Sequence, residues 1–243
     1  MGSSEAAKVP QSEVPPPLPS GRVVAASDAT PLLRRLEVRH DAAPTPQYTV
    51  AGQYLKVQAP GGQAGMFALA QAPGRPLELL VKRGSPVADS LAALAEGDVV
   101  LLSGAQGKGF PVAEAAGRDV WLFAVGSGIA PIRALVQALV ADQDRARHGK
   151  VTLYEGQREP EHFGFAAERA AWRAAGVTVV EVLSRPHHNW SGRTGHVQNA
   201  LLEDRPDGAG AVAYLCGMKA MVEGVRETAA TLGLPRERTF LNY

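Results

Sequence analysis

A pair of glycines that separates an apolar segment from an amphipathic one constrains the fold of this chain most strongly. Residues 120–125 form an apolar run typical of a buried strand, and residues 129–141 carry apolar side chains at helical spacing. Glycine permits a sharp turn, and proline is favoured in the first turn of a helix. The turn and the start of the helix read Gly126, Ser127, Gly128, Ile129, Ala130 and Pro131. This strand–turn–helix unit predicts an α/β domain with a parallel sheet.

The same turn predicts a binding site for a diphosphate. Free N–H groups and the helix dipole at the start of residues 129–141 would point towards an anion above the sheet. The alternative is a turn that contains glycine only for packing and binds no ligand. Pro131 stands where the Rossmann pattern has its third glycine, which distinguishes this turn from that motif.

Strands and helices alternate in the rest of the second half. Apolar strand-like segments are followed by segments of helical periodicity, which is typical of a parallel sheet buried on both faces. The further strands are predicted at 151–154, 177–183, 212–216 and 239–241, and the further helices at 163–175, 196–202 and 219–232. The sequence therefore predicts a doubly wound α/β domain over residues 117–243.

The first half has a different rhythm. Six short strand-like segments lie between residues 22 and 103, separated by turns rich in proline, glycine and alanine, with one short helix at 87–94. This spacing favours a small antiparallel β-barrel over residues 21–116. The proline-rich residues 1–20 are predicted to be a disordered leader. The predicted fold class is therefore two-domain, an antiparallel β-barrel followed by a doubly wound parallel sheet.

Composition excludes several classes of function. With 25 basic and 24 acidic residues the net charge is +1, so neither nucleic acid nor an anionic membrane surface is an expected partner. No run of 18 or more apolar residues predicts a membrane span. Cys216 is the single cysteine, which excludes an internal disulfide and a four-thiolate iron–sulfur cluster. No metal site is expected, because His187 and His188 lack an accompanying cysteine or carboxylate pattern.

Four segments of the second half occur in an order that carries a family resemblance. They are the G-x-G-x-x-P turn, residues 153–158, residues 190–197 and the sequence Cys216-Gly217-Met218-Lys219-Ala220-Met221. In this combination the chain resembles the ferredoxin-NADP reductase superfamily, most closely its plant and algal members and the electron-transfer subunits of bacterial dihydroorotate dehydrogenase. The resemblance covers about residues 21–243 and implies a flavin-binding barrel followed by a nicotinamide-binding domain.

The resemblance implies a site for NAD(P)H in the second domain. The glycine turn would hold the diphosphate, and Ser184, Arg185 and Arg193 would contact the adenosine ribose or its 2′-phosphate. The absence of an acidic residue after the strand at 177–183 favours NADP over NAD. The residues beside the nicotinamide would be Cys216, Gly217, Met218 and Met221. The candidate catalytic residues are Cys216, which would position the nicotinamide, and Tyr243, which would stack on the flavin.

The flavin half departs from the family pattern. The family has R-x-Y-S/T on one barrel strand, and this chain has Gly65-Met66-Phe67-Ala68. The second phosphate motif of the family, G-x-x-S/T before a helix, has Ala88 at its hydroxyl position. FAD is nevertheless the implied flavin, with contacts from Phe67, Ala68, Leu69, Lys82, Gly84, Val87, Ala88 and Gly107. The alternative is a barrel that has kept its packing and lost its flavin.

These observations together predict a flavin-dependent oxidoreductase. It would take a hydride from NAD(P)H and pass electrons through FAD to an unidentified protein or small-molecule acceptor, with weak or partner-dependent activity because the hydroxyl is missing at Ala68. The alternative is a flavin-free, NADP(H)-binding sensor or scaffold subunit of a larger complex. The resemblance implies the plastid stroma as the compartment, with the cytoplasm as the alternative.

Overall fold

The computed structural model describes residues 17–43, 46–141 and 148–242 of the 243-residue chain. Residues 1–16 of the predicted leader lie outside the described residues, so the leader stays a prediction. The first strand begins at Ser20, which pairs with Leu101. Among the described residues, none of the helices has the length and apolar character needed to cross a membrane.

Among the described residues of the first half, six antiparallel strands form one sheet. They are β1 (Ser20–Thr30), β2 (Leu33–His40), β3 (Tyr54–Gln58), β4 (Ala64–Ala68), β5 (Leu77–Lys82) and β6 (Val99–Leu102). Their order in the sheet is β4-β3-β6-β1-β2-β5. A bridge between Leu69 and Leu79 joins the end of β4 to β5, and so connects the two outer strands of the sheet. The predicted antiparallel barrel is therefore confirmed.

The barrel core consists of the inward-facing residues of these strands. Leu36, Leu55, Leu79 and Val100 are fully buried, because alternate side chains of a strand point to one face. Helix α1 (Pro86–Ala92) packs on this core through Leu91. In the sequence the helix lies between β5 and β6, and it begins four residues after β5 ends.

In the part of the second domain that the structure describes, there are six parallel strands and four α-helices. The strands are β7 (Asp119–Val125), β8 (Val151–Gln157), β9 (Thr178–Leu183), β10 (Arg193–Thr194), β11 (Ala211–Cys216) and β12 (Thr239–Leu241). The helices are α2 (Ile129–Ala141), α3 (Ala166–Ala174), α4 (Val197–Asp204) and α5 (Lys219–Thr231). The sheet order is β10-β9-β8-β7-β11-β12, so the strand order reverses at β7, between β8 and β11. Ligands of open α/β sheets bind outside the carboxyl ends of the strands at such a switch point.

Both faces of the parallel sheet are covered, as the apolar strands predict. In β7, Leu122 packs in the cluster that contains α2, and Phe123 packs in the cluster that contains α4 and α5. Helix α3 begins at Ala166 and not at 163, because Phe165 has a left-handed backbone (φ +61°) that cannot continue a helix. The two-residue strand β10 was not predicted.

The two domains share one apolar cluster. Leu33, Leu80 and Phe110 of the first half pack with residues of β7 and α2. The ring of Phe110 lies edge-on to that of Tyr214, with 5.6 Å between centroids. Asn242 donates a hydrogen bond from Nδ2 to the Gly52 carbonyl at 3.2 Å. This continuous packing holds the barrel against the carboxyl edge of the parallel sheet.

Candidate functional site

A large cleft lies between the barrel and the carboxyl ends of the parallel strands. Its volume is about 1330 Å³, which exceeds the range of typical ligand pockets. The predicted site residues that line it are Phe67, Ala68, Lys82, Val87, Ala88, Gly126, Ser127, Gly128, Ala130, Pro131, Ser184, Arg185, Cys216, Gly217, Met218 and Met221. Residues predicted for the flavin and for NAD(P)H thus face the same cavity.

The glycine turn lies at the switch point of the sheet. Gly126–Gly128 form a single 3₁₀ turn that leads from β7 into α2, and Gly126 has a positive φ of 59°. A Cβ on Gly128 would overlap the carbonyl of Cys216 at the end of β11, so only glycine permits this approach. The Lys82 Nζ atom lies 3.8 Å from the position that a Cβ on Gly126 would occupy. A cation of the barrel therefore reaches the turn from across the cleft.

The residues after β11 form the adjacent wall. A Cβ on Gly217 would overlap the Met221 side chain, so the backbone of Gly217 packs directly beneath that methionine. Burial raises the pKa of the Cys216 thiol from 9.0 to about 12. A thiol with so high a pKa is uncharged at neutral pH, so Cys216 contributes a neutral group to the lining of the cleft.

Two arginines meet at the ends of β8 and β9. The backbone N–H of Arg185 donates to the backbone carbonyl of Arg158 at 2.9 Å. Both residues line the cleft, together with Ser184. Sequence reasoning did not select Arg158. Arg158 could have been found because it directly follows β8, a parallel neighbour of β9. The carboxyl ends of neighbouring parallel strands lie at the same edge of the sheet, where ligands bind.

Arg193 does not face the cleft. Its guanidinium is bound by Glu203 and Asp204 at the end of α4, and Asp204 also accepts a hydrogen bond from Tyr154 at 3.0 Å. The hydrogen bonds that Arg193 donates, first to Glu203 and then to Asp204, raise the pKa of Arg193. The predicted contact of Arg193 with a phosphate would require these ion pairs to break.

The other predicted residues also lie away from the cavity. Leu69 is fully buried in the barrel core, and Ile129 is buried in the shared cluster. The Gly84 N–H donates to Asp89 at 2.9 Å, and a Cβ on Gly107 would lie 2.8 Å from the Tyr54 ring. Tyr243 lies outside the described residues.

One group of potential metal ligands was not foreseen. Ligand atoms of Glu159, Glu161 and His187 lie within 4.8 Å of one another. They come from the loops after β8 and β9, and Glu161 and His187 are exposed. Exposed acidic groups commonly lie together without a metal, so this arrangement by itself defines no site.

Comparisons with known proteins agree with this architecture. Residues 122–227 match the family of oxidoreductase NAD-binding domains. The gamma subunit of sulfhydrogenase 1 from Pyrococcus furiosus is 29% identical over 196 residues, which cover 78% of this chain and 66% of that subunit. Fruit protein pKIWI502 from Actinidia deliciosa is 29% identical over 242 residues, which cover 91% of this chain and 75% of that protein.

Solved structures share the two-domain fold. A cytochrome P450 reductase of Amycolatopsis has a TM-score of 0.81 at 28% identity, over 93% of this chain and 70% of the reductase. A ferredoxin NADP⁺ reductase of Neisseria gonorrhoeae, solved with bound FAD and NADP, has a TM-score of 0.77 at 21% identity, over 93% of this chain and 98% of that chain. Residues 122–227 thus belong to the family of oxidoreductase NAD-binding domains, and the chain as a whole is similar to two-domain reductases of the ferredoxin-NADP reductase type. The predicted class, an NAD(P)-linked oxidoreductase, is thereby confirmed at the level of the family.

The barrel strand β4 departs from the R-x-Y-S/T motif of the family that the chain resembles. The family arginine is Gly65 here, and a Cβ on Gly65 would lie 2.9 Å from the Phe67 ring and 2.9 Å from Val87. Gly65 and Phe67 point to the same face of β4, so the ring covers the space in which an arginine side chain would begin. The two departures from the family motif are therefore coupled through packing.

The start of α1 is also partly occupied by internal hydrogen bonds. The Ala88 N–H donates to the Ser85 hydroxyl at 3.3 Å, and the Asp89 N–H donates to the Ser85 carbonyl at 2.8 Å. These amides are therefore already paired. Lys82 is the cation that the described barrel residues contribute to the lining of the cleft.

Proposed function

We propose that this chain takes a hydride from NADPH in the interdomain cleft and passes electrons through FAD to a partner protein. The observation that supports this most directly is the glycine turn at the switch point, which opens into the same cavity as β4 and α1 of the barrel. A dinucleotide on the turn and a flavin against the barrel would share that cavity. A flavin, when bound, supplies the hydride acceptor and the onward electron steps.

The residues of the chain bind and orient under this proposal. The amides of Gly126–Gly128 and the ammonium of Lys82 would bind a diphosphate. The neutral thiol of Cys216 would pack against the nicotinamide, because its high pKa disfavours a charge there. Phe67 offers an aromatic face at the barrel wall. No side chain is assigned as an acid or base, since hydride transfer moves no proton to the protein.

The charge of the cleft favours NADP over NAD. Among the described residues its lining contains Lys82, Arg158 and Arg185 but no aspartate or glutamate. A guanidinium binds a phosphate with two parallel hydrogen bonds, whereas a ribose diol is usually bound by a carboxylate. We therefore assign the 2′-phosphate to Arg158 and Arg185, at the ends of β8 and β9.

The acceptor proposed here is a protein. The Pyrococcus relative is by name a subunit of a sulfhydrogenase, and the Amycolatopsis protein is by name a cytochrome P450 reductase. Met66 and Met218, 72% and 65% exposed, lie on opposite walls of the cleft and give its rim an apolar character suited to a protein contact. The plastid stroma, with the cytoplasm as the alternative, stays a prediction.

One observation favours a second candidate, an NADP(H)-binding sensor or scaffold without flavin. The Phe67 ring covers Gly65, so β4 offers no cation for a flavin diphosphate. The glycine turn and the two arginines do not depend on β4. Binding of NADPH would persist in such a protein, and hydride transfer would not occur.

An absorbance spectrum of the purified protein, before and after incubation with FAD, separates the two candidates. The proposed reductase gives flavin bands at about 370 and 450 nm that bleach when NADPH is added without oxygen. A Gly128→Val variant should keep the flavin bands and lose their bleaching by NADPH. Its side chain would collide with the Cys216 carbonyl and displace the glycine turn, which is the proposed NADPH site, without altering the barrel. A colourless protein that ignores added FAD but binds NADPH would establish the second candidate instead.

A further inference from the structure

A buried arginine joins the two walls of the cleft. Arg133 lies in the first turns of α2, two residues after Pro131, and its side chain is 3% exposed. It therefore lies just behind the glycine turn, on the face of α2 that meets the barrel. A buried guanidinium is stable only if its N–H donors are paired. The groups that accept from Arg133 therefore show which parts of the fold it connects.

On the barrel side Arg133 binds β5 and the segment after β4. Its Nη1 donates to Glu78 Oε1 at 2.6 Å and to the Ala70 carbonyl at 2.7 Å. Glu78 is completely buried, and its second oxygen accepts from Arg35 Nε at 2.6 Å and from Gln71 Nε2 at 3.0 Å. Both oxygens of this carboxylate are thus used, which fixes its orientation.

On its own side Arg133 is held by α3. Its Nε and Nη2 donate to the two oxygens of Glu168 at 2.9 and 2.7 Å. The Phe165 ring lies 4.4 Å from the guanidinium carbon. Phe165 reaches this place with a left-handed backbone that is disfavoured for a residue with a side chain.

The network is electrically balanced. Arg133 and Arg35 carry two positive charges, and Glu78 and Glu168 carry two negative ones. One helical turn further along, Gln137 accepts from the Ala72 N–H at 3.0 Å and adds a further hydrogen bond between α2 and the barrel. Buried ion pairs of this kind contribute little net stability compared with apolar packing, and their best supported use is to fix one arrangement.

The position of the network connects it to the cleft. Glu78 lies four residues before Lys82 on β5, and α2 begins at the glycine turn. The bond between Arg133 and Glu78 therefore joins the strand that carries the barrel cation to the helix that carries the turn. We propose that Arg133 is a positioning residue that fixes the width of the cleft and so the distance between its two bound ligands. Its effect on hydride transfer rests on the proposed function, whereas its effect on cleft width does not.

Cleft width can be measured with spin labels on the two domains. Arg39→Cys on β2 and Glu227→Cys on α5 provide exposed labelling sites, and wild type treated with the same reagent reports any labelling of Cys216. Pulsed electron resonance should give a narrow distance distribution in this background, a broad one with Arg133→Met, and a partly restored one with Arg133→Lys. Arg226→Met is the matched control, because Arg226 bonds Thr239 within the second domain only.

The kinetic measurement is the limiting rate of flavin reduction by NADPH together with the NADPH dissociation constant. Arg133→Met should lower the limiting rate on the order of tenfold to a hundredfold and leave the dissociation constant nearly unchanged, because misplacement affects alignment more than binding. Arg226→Met should lower thermal stability but neither broaden the distance distribution nor lower the limiting rate. A narrow distribution and an unchanged limiting rate in Arg133→Met would overturn the proposal. A colourless wild type would refute the proposed function, while the label distances would still decide whether Arg133 fixes the cleft.

Discussion

At the residue scale, Cys216 combines a place on the cleft wall with low chemical reactivity. It ends β11, where its carbonyl leaves no room for a side chain on Gly128. Burial raises the pKa of its thiol to about 12, so the thiolate that would react with an electrophile is scarce at neutral pH. A cysteine in a cleft is therefore no evidence for nucleophilic catalysis here.

Alkylation of Cys216 in the native protein should be slow. At pH 8 a pKa of about 12 in place of 9.0 lowers the thiolate fraction about a thousandfold, and the rate should rise with pH up to about 12. Intact mass after iodoacetamide treatment at pH 7, 8 and 9 measures this rate. The protein unfolded in guanidinium is the control and should react rapidly. Equal rates in both states would contradict the assigned burial.

Which single residues face the cleft could be predicted only in part from sequence. Gly126, Gly128 and Pro131 follow from a local pattern of strand, turn and helix. Arg193 was expected to face the phosphate, but its partners Glu203 and Asp204 lie ten and eleven residues later on α4. A pairing of this kind depends on how a loop folds against the following helix, which no local pattern gives.

At the scale of elements, the ends of β8 and β9 form one continuous edge of the cleft. Parallel neighbours end at the same edge of the sheet, so Arg158 and Arg185 meet although 27 residues separate them. Helix α2 was predicted with its bounds, because its apolar side chains recur at helical spacing over the whole of residues 129–141. The start of α3 was not, because the left-handed Phe165 interrupts an apparently continuous helical pattern, and β10 is too short to have a period.

Replacement of the two strand-end arginines should change the choice of nucleotide. Arg158→Gln and Arg185→Gln should each weaken NADPH binding about tenfold and leave NADH binding nearly unchanged, because each loses a charged hydrogen bond to the 2′-phosphate. Calorimetric titration with both nucleotides measures the ratio of the NADPH and NADH dissociation constants. Arg193→Gln is the control and should leave the ratio as in wild type. Equal losses for both nucleotides would contradict the assignment.

At the scale of the whole molecule, the ion pairs of Arg133 make stability depend on pH. Partial burial opposes ionisation of Glu168, but the hydrogen bonds and charge of Arg133 outweigh it and lower the pKa of this carboxyl below 4.5. A lowered pKa in the folded state contributes stability above the unfolded value of about 4.5, and this contribution is lost as the pH falls through the folded value. The pairing that produces it spans 35 residues, and that of Glu78 with Arg133 spans 55, which is why sequence patterns did not predict it.

The variant Glu168→Gln should therefore lose part of the pH dependence of unfolding. The free energy of unfolding should differ between wild type and variant by about 1 to 3 kcal/mol at pH 7, and the difference should shrink below pH 4.5. Urea unfolding at pH 7, 5 and 4 measures this. Glu227→Gln, an exposed carboxyl on α5, is the control and should give no such trend. A difference that is constant with pH would refute the role of the charge.

The apolar cluster shared by barrel and sheet has a consequence for how the two halves can be recombined. A chimera that joined this barrel to the nucleotide half of another relative would place Phe110 and Leu80 against a foreign surface, and Glu78 against whatever replaced Arg133. An unmatched buried carboxylate is strongly destabilising. The two halves can therefore be exchanged only if the residues of the domain interface are exchanged with them. The unit to transplant is a domain together with the partner residues that it contacts across this interface.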